Sequence, residues 1–127
     1  MIVLDPSVAL AALTGHTRAR HAIVDRRLLA PAHIDVELTH ALRGLTLGGH
    51  IGPTDAHRIL DIWRSLAIDR LPLQPLLPRI WELRDNLTGY DAAFVAAAEA
   101  HGVPLVTADK KLAAATGPRC AIHLIPS

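Results

Sequence analysis

Apolar runs of strand length alternate with longer segments of helical periodicity along this chain, and that alternation constrains the fold more than any other feature. "MIVLD" opens the sequence and is followed by "PSVALAALTG", where Pro6 suits a first helical turn and Gly15 a stop. "LLAP" reads as a short second strand before a helix over "HIDVELTHALRGLTLGG", whose Leu38, Ala41, Leu42 and Leu45 recur at i, i+3, i+4, i+7 and define a buried stripe. "GPTDAHRILDIWRSL" repeats the spacing with Ile59, Ile62, Trp63 and Leu66, and "IDRLPL" is a strand that Pro72 should end. Helices over "PLLPRIWELRDN" and "TGYDAAFVAAAEAHG" come next, then the strand "VPLVTAD", a short helix "KKLAAATG" and a last strand "AIHLIP". Such alternation predicts an α/β fold, a parallel sheet with helices on both faces. With 127 residues, half of them apolar, and no linker or repeat, residues 1–127 are expected to form a single domain.

The ends of the strands carry the chemistry. Asp is depleted from strands and Pro cannot extend a central one, so the first strand must stop at Asp5 and leave its carboxylate at the C-terminal edge. Asp109 ends "VPLVTAD" in the same way. In open parallel sheets, sites form outside the carboxyl ends of the strands, so two strands deliver acids to the expected edge. Asp91, in the first turns of its helix, falls on the same face as Phe94, Val95 and Ala98, and Glu37 flanks the apolar stripe of its own helix. Singly, each acid has an ordinary role as a helix cap or a solvated side chain. Together, four carboxylates at one edge would repel unless a cation neutralised them. All-oxygen donors suit a hard divalent ion, Mg2+ or Mn2+, and neither the lone cysteine nor the scattered histidines form a zinc pattern.

Several classes are disfavoured. A formal net charge of +1 gives no broad electrostatic footprint for nucleic acid, so any such binding must rest on local basic residues, of which Arg43, Arg84, Lys110 and Lys111 are candidates. The few aromatics (Trp63, Trp81, Tyr90, Phe94) argue against a base-stacking platform. No apolar run approaches the roughly 18 residues of a membrane span, and no basic region precedes an apolar one, so a soluble, unexported protein is expected. Cys120 has no partner for an internal disulfide, which suits a reducing cytoplasm. A dehalogenase-like phosphatase would need a second Asp where Ser7 stands, and no Walker loop or GxGxxG follows a strand.

"IVLDPSV", "APAHIDVELTHALR", "YDAAFVAAAEAHGVPLVTADKKL" and the closing strand, taken in order, resemble the PIN-domain nucleases, and most of all the VapC toxins of prokaryotic toxin-antitoxin modules. The resemblance covers essentially the whole chain. It implies a PIN-like fold with a five-stranded parallel sheet, and it maps the family's four acids onto Asp5, Glu37, Asp91 and Asp109 and its small hydroxyl residues onto Ser7 and Thr107. It also implies metal-dependent endoribonuclease cleavage leaving a 5′-phosphate, a cognate VapB-type antitoxin that holds the toxin inactive, a homodimer and a prokaryotic cytoplasmic setting. The chemistry suits these residues: Asp5, Asp91 and Asp109 as direct or water-bridged metal ligands, with Glu37 a ligand or a base that orients the attacking water. Lys110 and Lys111, in a first helical turn, oppose the helix dipole and so are candidates to meet phosphate. Two alternatives stay open: an RNA-processing PIN nuclease outside toxin-antitoxin systems, and a catalytically silent PIN-like binding module.

Overall fold

The computed structural model describes residues 1–126. Its elements run β1 (Ile2–Leu4), α1 (Pro6–Leu13), α2 (Thr17–Ile23), β2 (Leu28–Pro31), α3 (Ile34–Leu47), α4 (Pro53–Ser65), β3 (Ile68–Leu71), a 3-10 turn (Gln74–Leu76), α5 (Leu77–Glu82), α6 (Gly89–His101), β4 (Leu105–Thr107), α7 (Lys110–Ala113) and β5 (Ile122–Leu124). The five strands form one parallel sheet in the order β3-β2-β1-β4-β5. This is the expected α/β architecture.

That order fixes where a site can form. From β1 the chain builds outward through β2 to β3, then returns along α6 to lay β4 on the other side of β1. The direction of winding therefore reverses between β1 and β4, and a crevice opens at the carboxyl ends of those two strands. Val3 and Leu4 stand opposite Leu105 and Val106, and Asp5 N donates to Val106 O at 3.0 Å, so the ladder continues to the residue that carries the first acid.

The helix that crosses the sheet is built to lie close to it. α6 begins at the Thr88 cap, whose Oγ1 accepts from Asp91 N at 3.2 Å, and ends at Gly102, which takes a left-handed φ of 63°. Between them Ala92, Ala93, Ala96, Ala97 and Ala98 are buried with Phe94 and Val95. Small side chains let the helix approach β1, β2 and β4, and that approach sets the height of Asp91 above the sheet. Two polar ties brace the layers. Asp35 accepts from Trp63 Nε1 at 2.7 Å and from Arg70 Nε at 2.7 Å, joining α3, α4 and β3; the Arg70 hydrogen bonds hold Asp35 below the usual carboxylate range. Glu99 takes Arg79 Nε at 2.7 Å and Arg119 N at 2.8 Å, joining α5 and the C-terminal segment to α6.

The structure corrects several details. α2 was not expected; its apolar content is confined to Ala19, Ala22 and Ile23, too little to register as a stripe, and the His16 ring caps it by accepting from Ala19 N at 3.1 Å. In α3, Leu38 and Leu42 are buried but Ala41 is exposed, and in α4 Ile59 and Trp63 are buried while Ile62 is 43% exposed. The stripes are narrower than their spacing implied. The segment expected as one helix over "PLLPRIWELRDN" is a 3-10 turn and a six-residue helix, since Pro75 and Pro78 remove backbone donors. No helix among the described residues is long and apolar enough to cross a membrane.

Close approach of α6 makes its alanines intolerant of bulk. Ala97→Leu, at a fully buried position, is expected to lower unfolding free energy by about 1–3 kcal/mol in urea titrations. Ala100→Leu, on the exposed side of the same helix, should change it by less than about 0.5 kcal/mol.

Candidate active site

Asp5 is the fixed point of the crevice. It is only 6% exposed and caps α1 in an extended conformation (φ −80°, ψ 146°), with Pro6 placed where a helix needs no N–H. Its Oδ2 accepts from Ser7 N at 3.1 Å, from Thr107 Oγ1 at 3.2 Å and from Ser7 Oγ. Ser7 Oγ in turn accepts from Ala108 N at 3.0 Å, and Thr107 Oγ1 from Asp109 N at 3.0 Å. The two hydroxyls thus tie the end of β1 to the end of β4. Asp109 caps α7 through Oδ1, which accepts from Lys111 N at 2.8 Å and Leu112 N at 3.4 Å.

Electrostatics connect the four expected acids through Asp91. Burial pushes Asp5 up to about 6, against the lowering effect of the Ser7 and Thr107 hydrogen bonds, and the charge of Asp91 adds to the rise. Half-buried Asp91 is also raised, first by burial and then by the charges of Asp109 and Glu37, with His33 opposing. Glu37 reaches the group from the first turn of α3: its Oε1 is buried without an aligned hydrogen-bond partner and lies 3.0 Å from His33 Nε2, and its nearness is the main reason His33 is raised above the ordinary imidazole range.

The carboxylates are coupled without closing into a shell. Among the described residues no group of three or more His, Cys, Asp and Glu side chains is placed to hold a metal ion directly. The donor set still fits a hard divalent cation: such ions take oxygen ligands, and the smaller of them keep several waters and use only one or two carboxylates. An orphaned Glu37 oxygen and two acids held above their usual range mark a place where positive charge is wanted.

Lys110 and Lys111 are exposed on the first turn of α7 beside Asp109, and Arg43 is exposed on α3. Arg84 sits over the Trp81 ring at 4.6 Å and donates to Trp81 O at 3.0 Å. Among the described residues no ion pair joins these four side chains to the acids. One residue of the site escaped the sequence reading. His33 stands among the scattered histidines that form no zinc pattern, yet it lies 3.0 Å from Glu37, and the i, i+4 spacing from the N-cap into α3 was the available signal.

The description "PIN domain" fits residues 2–118, and the chain belongs to the PIN-domain family. Within it the chain groups with the VapC proteins: it is 44% identical over 126 residues to Ribonuclease VapC9 of Mycobacterium tuberculosis (strain ATCC 25618 / H37Rv), covering 99% of each chain. Its fold is similar to that of FitAcB from Neisseria gonorrhoeae, with a TM-score of 0.74 at 16% identity over 97% of this chain and 96% of that one. It is also similar to VapBC2 from Rickettsia felis, solved bound to a DNA fragment from the promoter, with a TM-score of 0.72 at 16% identity over 98% and 99%.

Burial of Asp5 has a measurable sign. With a folded value near 6 and an ordinary value near 4, the cation-free fold binds a proton that the unfolded chain releases, so stability is greatest below about pH 4 and falls as pH rises to about 6. The gap corresponds to about 3 kcal/mol at most. Asp5→Asn is therefore expected to be more stable than wild type at pH 8 in a chelator, by about 1–3 kcal/mol in denaturant titrations, with the difference vanishing near pH 4.

Proposed function

We propose that this chain is a magnesium-dependent endoribonuclease toxin of the VapC type, a single PIN domain over residues 1–127 that hydrolyses RNA phosphodiesters and is restrained by a cognate VapB-type antitoxin. The observation that carries the reading is the coupling of Asp5, Glu37 and Asp109 through Asp91 at the carboxyl edge of the sheet, where the winding reverses. Identity to proteins named VapC ribonucleases supports the activity, and likeness in fold to a chain solved as part of VapBC2 supports an antitoxin partner.

Phosphodiester hydrolysis needs an activated water, relief of charge on the non-bridging oxygens and a stabilised leaving oxygen. Bound Mg2+, or Mn2+ in its place, supplies polarisation of the phosphate and a more acidic water. Asp5 and Asp109 each commit one carboxylate oxygen to hydrogen bonds with the scaffold and keep the other for the ion or its waters. Asp91 has no side-chain partner of its own among the described residues, so its whole carboxylate is available at the centre. Glu37, with an unpartnered oxygen, is a ligand or takes the proton from the attacking water. Ser7 and Thr107 hold Asp5 in place rather than react. Lys110, Lys111, Arg43 and Arg84 are exposed cations for the RNA backbone beyond the scissile phosphate. Val36 on α3, Ile62 on α4 and Trp81 on α5 leave apolar surface exposed for a second copy or for the antitoxin.

Incubation of the purified protein with total cellular RNA, with end mapping, tests the reading. Discrete 5′-phosphate ends that depend on Mg2+ and vanish on chelation are expected. Asp91→Asn should lower cleavage by about a hundredfold or more while retaining the wild-type fold by circular dichroism, since it removes the central charge and little volume. Cleavage indifferent to metal, or unchanged in that variant, would overturn the assignment.

A further inference from the structure

His33 occupies the junction between the two helices that carry Glu37 and Asp91. It is the residue before α3, and its ring packs against Tyr90 and Phe94 of α6, with centroids at 6.2 and 5.0 Å. Nε2 is 3.2 Å from Tyr90 O and 3.0 Å from Glu37 Oε1. Tyr90 O can only accept, and so can an ionised Glu37, so Nε2 must carry the proton in this arrangement. Only the contact with Tyr90 O has hydrogen-bond alignment, while Glu37 Oε1 remains buried and unpartnered beside the same N–H. Nδ1 is likewise buried without a partner, so no third group competes for the orientation of the ring.

The geometry points to His33 as a positioning residue: its one Nε2–H anchors the ring to α6 and sets where the Glu37 carboxylate stands relative to Asp91. The inference rests on the nuclease reading, because the property that it explains is the placing of Glu37 for a cation or a water. Two acceptors on different helices thus lie within 3.2 Å of the same nitrogen, one of them aligned with its N–H. Outer partners of this kind change metal affinity by about ten- to a hundredfold when removed.

Two substitutions separate the proton from the ring. His33→Phe keeps an aromatic ring against Tyr90 and Phe94 and removes the N–H; His33→Gln gives up the ring and retains an N–H donor at similar reach. Mn2+ binding to RNA-free protein, followed by calorimetry, is expected to weaken about tenfold or more in H33F and to recover toward wild type in H33Q. The metal concentration for half-maximal RNA cleavage should move in parallel. H33F that binds Mn2+ as wild type does would overturn the inference and leave the nuclease reading standing, and so would H33Q that is as weak as H33F, because His33 would then be a packing residue. Wild-type protein that neither binds Mn2+ nor cleaves RNA would overturn the nuclease reading and the positioning role with it. Thermal unfolding without metal, expected to be similar in H33F and wild type, distinguishes a lost donor from a lost fold.

Discussion

Everything at the crevice depends on one carboxylate oxygen. Asp5 Oδ2 receives the Ser7 amide, the Ser7 hydroxyl and the Thr107 hydroxyl, and those hydroxyls receive the amides of Ala108 and Asp109. Two strands a hundred residues apart in sequence are thereby joined at their ends by a closed set of donors and acceptors, in which each hydroxyl both gives and takes a hydrogen bond. Without that set the loop after β4 would have no reason to hold Asp109 near Asp5. The sheet supplies the neighbourhood, and the hydroxyls supply the register.

Holding acids close carries an energetic penalty that the rest of the fold must offset. Burial and mutual repulsion raise Asp5 and Asp91 together, so the cation-free site is destabilising at neutral pH. The compensating interactions lie elsewhere: a dry layer of small side chains under α6, the Asp35 tie to Trp63 and Arg70, and the Glu99 tie to Arg79 and Arg119. None of these acids belongs to the crevice. Asp35 and Glu99 are held below the usual carboxylate range by basic partners, whereas Asp5 and Asp91 are raised, first of all by burial.

The sequence made the frame legible because its signals were local. Asp5 and Asp109 could be placed because a strand that ends on an acid leaves that acid at the sheet edge, and Asp91 because an acid on an otherwise apolar helical face demands a partner. What stayed hidden depended on tertiary contact. The His33 position is fixed by an α6 carbonyl and two rings that no periodicity in α3 announces. α2 escaped because three small or branched apolar residues in seven make no stripe, and Ala41 and Ile62 were placed inside because spacing alone does not say how wide a buried stripe is. The distance between the acids was the least legible quantity, since it is set by how closely α6 settles on the sheet.

Hydrogen bonding within the fold divides the work of the acid oxygens. Oδ2 of Asp5 and Oδ1 of Asp109 are consumed by backbone and hydroxyl donors, and no other hydrogen bond to either carboxylate occurs among the described residues. Each of these acids thus has a structural oxygen and a spare one, while Asp91 spends neither and Glu37 has one buried without a partner. An Asp→Asn exchange at position 5 or 109 keeps a carbonyl oxygen for the scaffold and removes the charge, so loss of function in such a variant reports on charge. Deletion to Ala would instead release the strand end or uncap α7 and confound the two. With no three of these acids grouped to hold a metal directly among the described residues, a divalent ion bound under the proposed function would be held partly through its own waters. Such an ion would keep coordination positions for the phosphate, which a hydrolytic centre requires and a purely structural metal site does not.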